Sequence, residues 1–268
     1  MKVTQIRFEG FLKTPTLWVS TNIHELKQFS IEQKSIVFNI DIDNKQRLGK
    51  YVERFVSHQL VNTEGISLIA ENIQISKDKI TLGELDFLIN KNGKPIHLEV
   101  IYKFYLCDPS LKGLDCWIGP NKKDSLLEKL NKLREKQLPL LYSKECEKYL
   151  KSISLQSADI SQQVYFKAQL FVPLNTKINH GEVNPTCIVG YYIYRNELSL
   201  FKESKFYIPN KKDWLILPHT NVDWLNYDDF VIESKEYLDR EFSPMCWIKS
   251  KNGELKKFFL VWWPPEVV

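Results

Sequence analysis

Apolar and polar residues alternate along HLEVIYKFYL, residues 97–106, and predict a strand with two unlike faces. Side chains alternate across a strand, so Leu98, Val100, Tyr102, Phe104 and Leu106 form one face. His97, Glu99, Ile101, Lys103 and Tyr105 form the other. The preceding run, KITLGELDFLIN, reads the same way, with Glu84 and Asp86 on one face and Leu85, Phe87 and Ile89 on the other. Asn92-Gly93 lies between the two runs, and Asn-Gly is the preferred pair for a two-residue hairpin turn. Upstream, Leu48, Tyr51, Val52, Phe55, Val56 and Leu60 recur at helical spacing in NKQRLGKYVERFVSHQLVN and predict a helix.

The remaining pattern is sparser. SIVFNIDI (35–42) and GISLIAENIQI (65–75) predict strands. KKDSLLEKLNKLREKQLPL predicts a second helix, with a stripe of Leu126, Leu127, Leu130 and Leu133 and Pro139 as its close. QQVYFKAQLFVPL (162–174) predicts a further strand. Beyond about 180 come aromatics and short strands, TCIVGYYIYR and PMCWIKSKNGELKKFFLVWW, the last with another Asn-Gly. The first forty residues give no clear element outside 35–42. The order predicts an α/β core over 1–180, with a β-rich, aromatic extension over 181–268 packed on it.

The hairpin turn sets a register. With Asn92-Gly93 at its centre, Lys91 pairs with Lys94, Phe87 faces Leu98 and Asp86 faces Glu99. Opposed residues have Cβ atoms about 4.5–5.5 Å apart, and like charges opposed in this way destabilise a sheet. A divalent cation turns that repulsion into coordination, and hard oxygen ligands suit Mg²⁺ or Mn²⁺. Pro95 lacks a ladder N–H and is the residue able to disturb this register. On the 46–62 helix, Glu53 falls at the rim of the apolar stripe, where a carboxylate can lean over a sheet edge. The plainer alternative is two carboxylates on a wet face, with Lys103 paired to Glu99.

Composition narrows the classes. A 268-residue chain can bury a core without disulfides. Its five cysteines are odd in number and form no C-x-x-C, which argues for reduced, buried thiols over a zinc ribbon or a secreted framework. No apolar run reaches about 18 residues and the first twenty lack an apolar h-region, so we expect a cytoplasmic chain with no membrane partner. A net charge of +4 neither announces nucleic acid nor opposes it. His24, His58, His180 and His219 make no H-E-x-x-H, and GPNKKD is no Walker loop. The aromatics after 180 read first as core and second as a stacking platform for unpaired bases.

A helix glutamate, a hairpin carrying Asp then Glu, and a following lysine together resemble the PD-(D/E)XK nuclease superfamily. GELDFLI…HLEV resembles the G-E-[IL]-D…[VL]-E-V-K signature of its resolvase-like branches. The run from LGKYVE through WIGPNKKDSLLEKLNKLREKQLPL to FKAQLFVP resembles an uncharacterised bacterial domain-of-unknown-function family placed in that superfamily. The resemblance covers about residues 46–175 and, more loosely, the whole chain. It implies a restriction-endonuclease-like core, a mixed central sheet flanked by helices. It implies Asp86 and Glu99 as ligands of Mg²⁺ or Mn²⁺, with the Val100 carbonyl a third, and Glu53 as the helix acid. Lys103 becomes the catalytic lysine and Gln137 an extra site residue; Glu84 and His97, which share the acid-bearing faces, are read from the residues as supporting neighbours. The substrate implied is DNA or RNA.

The sequence departs from the signature at one point. Ile101 stands two residues after Glu99, where that superfamily carries its lysine. Lys103 is on the same face but about 6–7 Å further along. Three expectations follow: a Mg²⁺-dependent nuclease, a catalytically inactive nucleic-acid-binding module on the same fold, or a structural or protein-interaction protein.

Overall fold

The computed structural model describes residues 2–19, 22–32, 36–43, 45–179 and 181–265. In chain order its helices and strands are α1 (Val3–Lys13), β1 (Asn22–Ile23), β2 (Leu26–Lys27), α2 (Leu48–Val61), β3 (Ile66–Lys77), β4 (Ile80–Lys91) and β5 (Lys94–Cys107). There follow β6 (Trp117–Ile118), α3 (Leu126–Lys132), α4 (Lys144–Ser152), β7 (Ser161–Pro173) and β8 (Ile188–Tyr194). The last are β9 (Lys205–Tyr207), α5 (Tyr227–Asp239), β10 (Met245–Lys249) and β11 (Leu255–Val261). The fold is mixed α/β, with parallel and antiparallel strand pairs and helices beside them. Two compact units interleave along the sequence. The hairpin unit is Thr16–Tyr102 with Glu128–Lys167, and the aromatic unit is Met1–Pro15, Lys103–Leu127 and Ala168–Val268.

In the hairpin unit the strand order is β3-β4-β5-β7. The β4–β5 register is the predicted one from Lys91↔Lys94 through Asn90↔Pro95 to Phe87↔Leu98, so Pro95 does not shift it, but it stops there and the expected Asp86–Glu99 pair is not part of it. Asn92 and Gly93 have φ of 53° and 81°, the left-handed pair that a type I′ turn requires. Tyr51, Val52, Phe55, Val56 and Leu60 are buried along α2, as their spacing predicts. A satellite core gathers Ile73, Ile75, Leu85, Leu88, Leu141, Cys146, Leu150 and Ile160.

Two local expectations differ from the structure, and one helix has no counterpart among them. Residues 36–43 carry no strand, and Ser35 lies outside the described residues. Phe38 instead anchors that segment, its ring edge-on to Phe55 at 4.9 Å, while His58 Nε2 bonds the Val37 carbonyl at 3.0 Å. The apolar alternation there serves side-chain anchoring, because no ladder takes up its backbone. Pro139 does not close the second helix: α3 continues as a π turn over Leu133–Gln137 and then a 3₁₀ turn over Leu138–Tyr142. Proline is tolerated in a first turn, where its N–H is not needed. Helix α4 is not among the expected elements; its cap Ser143 accepts the Cys146 N–H at 3.2 Å.

In the aromatic unit the order is β7-β8-β11-β10-β9, and β6 pairs with the end of β5. Strand β8 is parallel to β7 and β11, whereas β10 is antiparallel to β11 and β9. All of 181–268 belongs to this unit, together with α1. It carries the expected strands, but also α5, whose Phe230 stacks on Phe206 at 4.3 Å. Helix α1 lies close on the 211–215 turn: a Cβ on Gly10 would stand 2.0 Å from the Leu215 carbonyl oxygen. Arg7 Nε adds an ion pair to Asp213 there at 2.7 Å. All five cysteines are free and buried. Among the described residues no helix is long and apolar enough to cross a membrane.

Candidate metal centre

Asp86 marks the place where the hairpin opens. Towards β5 the register ends at Phe87↔Leu98, and Asp86 Oδ2 accepts the Val100 N–H at 2.8 Å in place of a backbone acceptor. Towards β3, the pairs Glu71↔Phe87 and Ile73↔Leu85 bracket Asn72, whose φ is 54°. Asparagine tolerates that left-handed conformation. Strand β4 then runs on along β3 as far as Ile80.

Three carboxylates meet at this opening. Glu84 and Asp86, two residues apart, share a face of β4. Helix α2 brings Glu53 to them. One carboxylate oxygen of each lies within 4.8 Å of the other two. The side chains of Glu53 and Glu84 keep 14% and 27% of their exposure, so the group is half-desolvated rather than spread on a wet face. Burial pushes the Asp86 carboxyl well above the usual carboxylate range, and the Glu99 charge pushes it further. The Val100 N–H works in the opposite direction. Burial also raises the Glu53 carboxyl, against the pull of Lys50.

Lys50 is the cation of this cluster. It precedes Glu53 by three residues on α2, a spacing that places side chains on one helix face. Its Nζ stands 2.8 Å from Glu53 Oε2 and 2.9 Å from Asn72 Oδ1, and it also bonds Glu84 Oε1. Burial alone would lower the Lys50 pKa, but its hydrogen bonds to Glu53 and Glu84 leave it raised.

Glu99 is fully buried, as is His97. Gln162 Nε2 lies 2.9 Å from His97 Nδ1, and an amide nitrogen only donates, so Nδ1 accepts. His97 Nε2 therefore carries the proton and donates it to Glu99 Oε1 at 3.0 Å. Gln137 Nε2 donates to the other oxygen, Oε2, at 2.6 Å, and Lys129 Nζ holds the Gln137 Oε1 at 2.7 Å. The π turn over Leu133–Gln137 sets the direction of Gln137, and such turns re-aim one side chain of a helix. Glu99 is thus fixed at both oxygens, and its charge is felt at Asp86.

The structure brings Glu53, Glu84 and Asp86 together, with Glu99 acting on Asp86 and held by His97 and Gln137. Val100, expected for its carbonyl, meets Asp86 through its N–H. Lys103 belongs to the aromatic unit, where its ammonium bonds Asp124 Oδ2. Asp124 is itself held over Gly119, whose N–H bonds the Asp124 carbonyl at 2.6 Å. A Cβ on Gly119 would stand 2.0 Å from Asp124 Oδ1. The sequence reading missed Lys50, Asn72, Lys129 and Gln162. The i,i+3 spacing to Glu53 was a usable signal for Lys50; the other three meet the site only through tertiary structure.

The donor set is all oxygen, carboxylate and half-desolvated, with an ammonium already drawn in. That chemistry fits a hard divalent cation. No curated protein and no solved structure matches the chain. A family model described as "Domain of unknown function (DUF1853)" matches residues 10–261, nearly the whole sequence. The chain belongs to the DUF1853 family.

Proposed function

We propose that the protein is a Mg²⁺- or Mn²⁺-dependent nuclease that hydrolyses phosphodiester bonds in DNA or RNA. The carrying observation is the convergence of Glu53, Glu84 and Asp86 within 4.8 Å at the point where β4 and β5 part. The likeness of GELDFLI…HLEV to the PD-(D/E)XK signature supports the same reading. Asp86, Glu53 and Glu84 are the residues that would hold the ion. Glu99 adds negative charge beside Asp86 and is kept in one orientation by His97 and Gln137. A bound divalent cation supplies Lewis-acid polarisation of a phosphoryl oxygen and a water of lowered pKa. Lys103 is the residue we assign to stabilising the charge that develops on the phosphate.

A second reading has its own observation. Lys103 is tied to Asp124, and a nuclease core whose lysine is engaged elsewhere binds nucleic acid without cutting it. Such a module loses affinity steeply with salt and turns nothing over.

One experiment separates the two. Single- and double-stranded DNA, branched DNA and RNA are incubated with the protein in Mn²⁺, Mg²⁺ or chelator, beside Asp86→Asn. The nuclease reading expects metal-dependent cutting that the variant loses. Salt-sensitive binding without cutting, on every substrate and with either metal, overturns it in favour of the module.

A further inference from the structure

Two of the five thiols touch. Cys107 ends β5 and Cys116 ends the 3₁₀ turn Gly113–Cys116, both inside the aromatic unit. The Asp108 N–H bonds the Cys116 carbonyl at 2.7 Å, and Cys107 pairs with Trp117, so the two cysteines stand diagonally across a short antiparallel ladder. Their sulfurs are 3.2 Å apart and hydrogen-bonded. A disulfide needs about 2.05 Å, so its formation calls for about 1 Å of side-chain approach. The other sulfurs differ: Cys187 and Cys246 point at the carbonyls of Pro15 and Pro244, at 3.8 and 3.7 Å.

Access is the second observation. Both cysteines line a cavity of about 420 Å³, walled also by Pro109, Leu111, Lys112 and Lys177. Both residues are otherwise buried, each 3% exposed, so a reagent meets the sulfurs from this cavity. The two lysines at its rim are exposed and favour an anionic visitor.

We propose that Cys107 and Cys116 form a redox-active dithiol that a small anionic disulfide, entering this cavity, converts into an intramolecular disulfide. The Cys107 thiolate attacks one sulfur of the small disulfide, forming a mixed disulfide and releasing one thiolate. Cys116 then loses its proton and attacks the Cys107 sulfur, which releases the second thiolate. The protein pair gives up two electrons and two protons, and the small disulfide is reduced to two thiols. Cys107 goes first because its hydrogen bond with Cys116 lowers its pKa and raises that of Cys116, and the thiolate is the nucleophile. The closed bond ties the end of β5 to the 3₁₀ turn and pins the loop over 108–115.

Oxidised glutathione is the probe. The full native chain is incubated with it, then alkylated and weighed intact, and peptides are mapped without reduction. The expected result is near-stoichiometric loss of two hydrogen masses, a linked peptide pair carrying Cys107 and Cys116, and reversal by dithiothreitol. Cys116→Ser should stop at a glutathione adduct on Cys107. The proposal is overturned if the native chain keeps five alkylatable thiols under conditions that oxidise the urea-unfolded chain. A stable glutathione adduct on the wild type, or a link through Cys146, Cys187 or Cys246, overturns it equally.

Discussion

Asp86 Oδ2 accepts the Val100 N–H at 2.8 Å, one residue beyond the last backbone pair of the hairpin. The carboxylate therefore does two jobs: it satisfies a backbone donor and offers a lone pair at the carboxylate cluster. Alanine removes both and leaves a buried N–H without its partner, at a cost of about 1–3 kcal/mol. Asparagine keeps an acceptor oxygen and removes only the charge. In chelator we expect Asp86→Ala to unfold at lower temperature than the wild type. Asp86→Asn should match or exceed the wild type, since it deletes a carboxylate that burial and Glu99 disfavour. With Mn²⁺ the wild type should gain thermal stability and Asp86→Asn should not. A full Mn²⁺ shift in the asparagine variant would remove Asp86 from the ligand set.

Lys50 and a divalent cation compete for the same carboxylates. In the metal-free protein Lys50 neutralises part of the Glu53–Glu84–Asp86 charge. Lys50→Met should therefore have opposite effects in the two conditions. Stability in chelator should fall, by roughly 1 kcal/mol for a half-exposed pair. Affinity for Mn²⁺, measured by titration calorimetry, should rise several-fold because no ammonium has to be displaced. Weaker Mn²⁺ binding in this variant would mean that Lys50 supports the ion instead of competing with it.

Lys103 bonds Asp124 within the aromatic unit, whereas Glu53, Glu84 and Asp86 belong to the hairpin unit, so its role separates from metal binding. Lys103→Met should leave the Mn²⁺-induced stabilisation intact while turnover falls by about 10²-fold, the scale for losing one group that stabilises transition-state charge. Unchanged turnover would pass the role to Lys50, the lysine that does contact the acids.

Local rules reached the hairpin and stopped where tertiary structure took over. Asn92-Gly93 dictates a type I′ turn, and that turn dictates the register as far as Phe87↔Leu98; the Asp86–Glu99 pair expected next does not form, because the strands part there and Asp86 takes the Val100 N–H. The helical period of α2 placed Glu53 at the rim of its apolar stripe. Burial of Glu99 was not legible, because alternation marks a polar face without saying whether another layer covers it. Gln137 reaches Glu99 from the π turn, 38 residues on, while His97, its neighbour on the same strand, is held in place by Gln162 from β7. Helix α5 was missed for a different reason: YDDFVIESKEYLD has few apolar positions, and the aromatics around it suggested strands.

Lys257 gives a stability test independent of the carboxylates. It lies in the aromatic unit on β11, 3% exposed, with Nζ 2.9 Å from Gln169 Oε1 and 2.6 Å from the Trp214 carbonyl. Burial drives its pKa down from the ordinary 10.5 to about 7. The sign follows from proton counting: between about pH 7 and 10.5 the unfolded chain holds a proton on this residue that the folded chain lacks. Unfolding free energy should therefore rise with pH across that window, by up to about 1.4 kcal/mol per pH unit from this group. Below about pH 7 both states are charged and the slope vanishes. Lys257→Met has nothing to titrate, so its stability should rise less steeply than the wild type's between neutral and alkaline pH. Denaturant unfolding of both proteins across the window measures the difference. Parallel curves would mean that Lys257 titrates alike in the folded and unfolded chain, and that its two carbonyl-type acceptors hold the ammonium as well as water does.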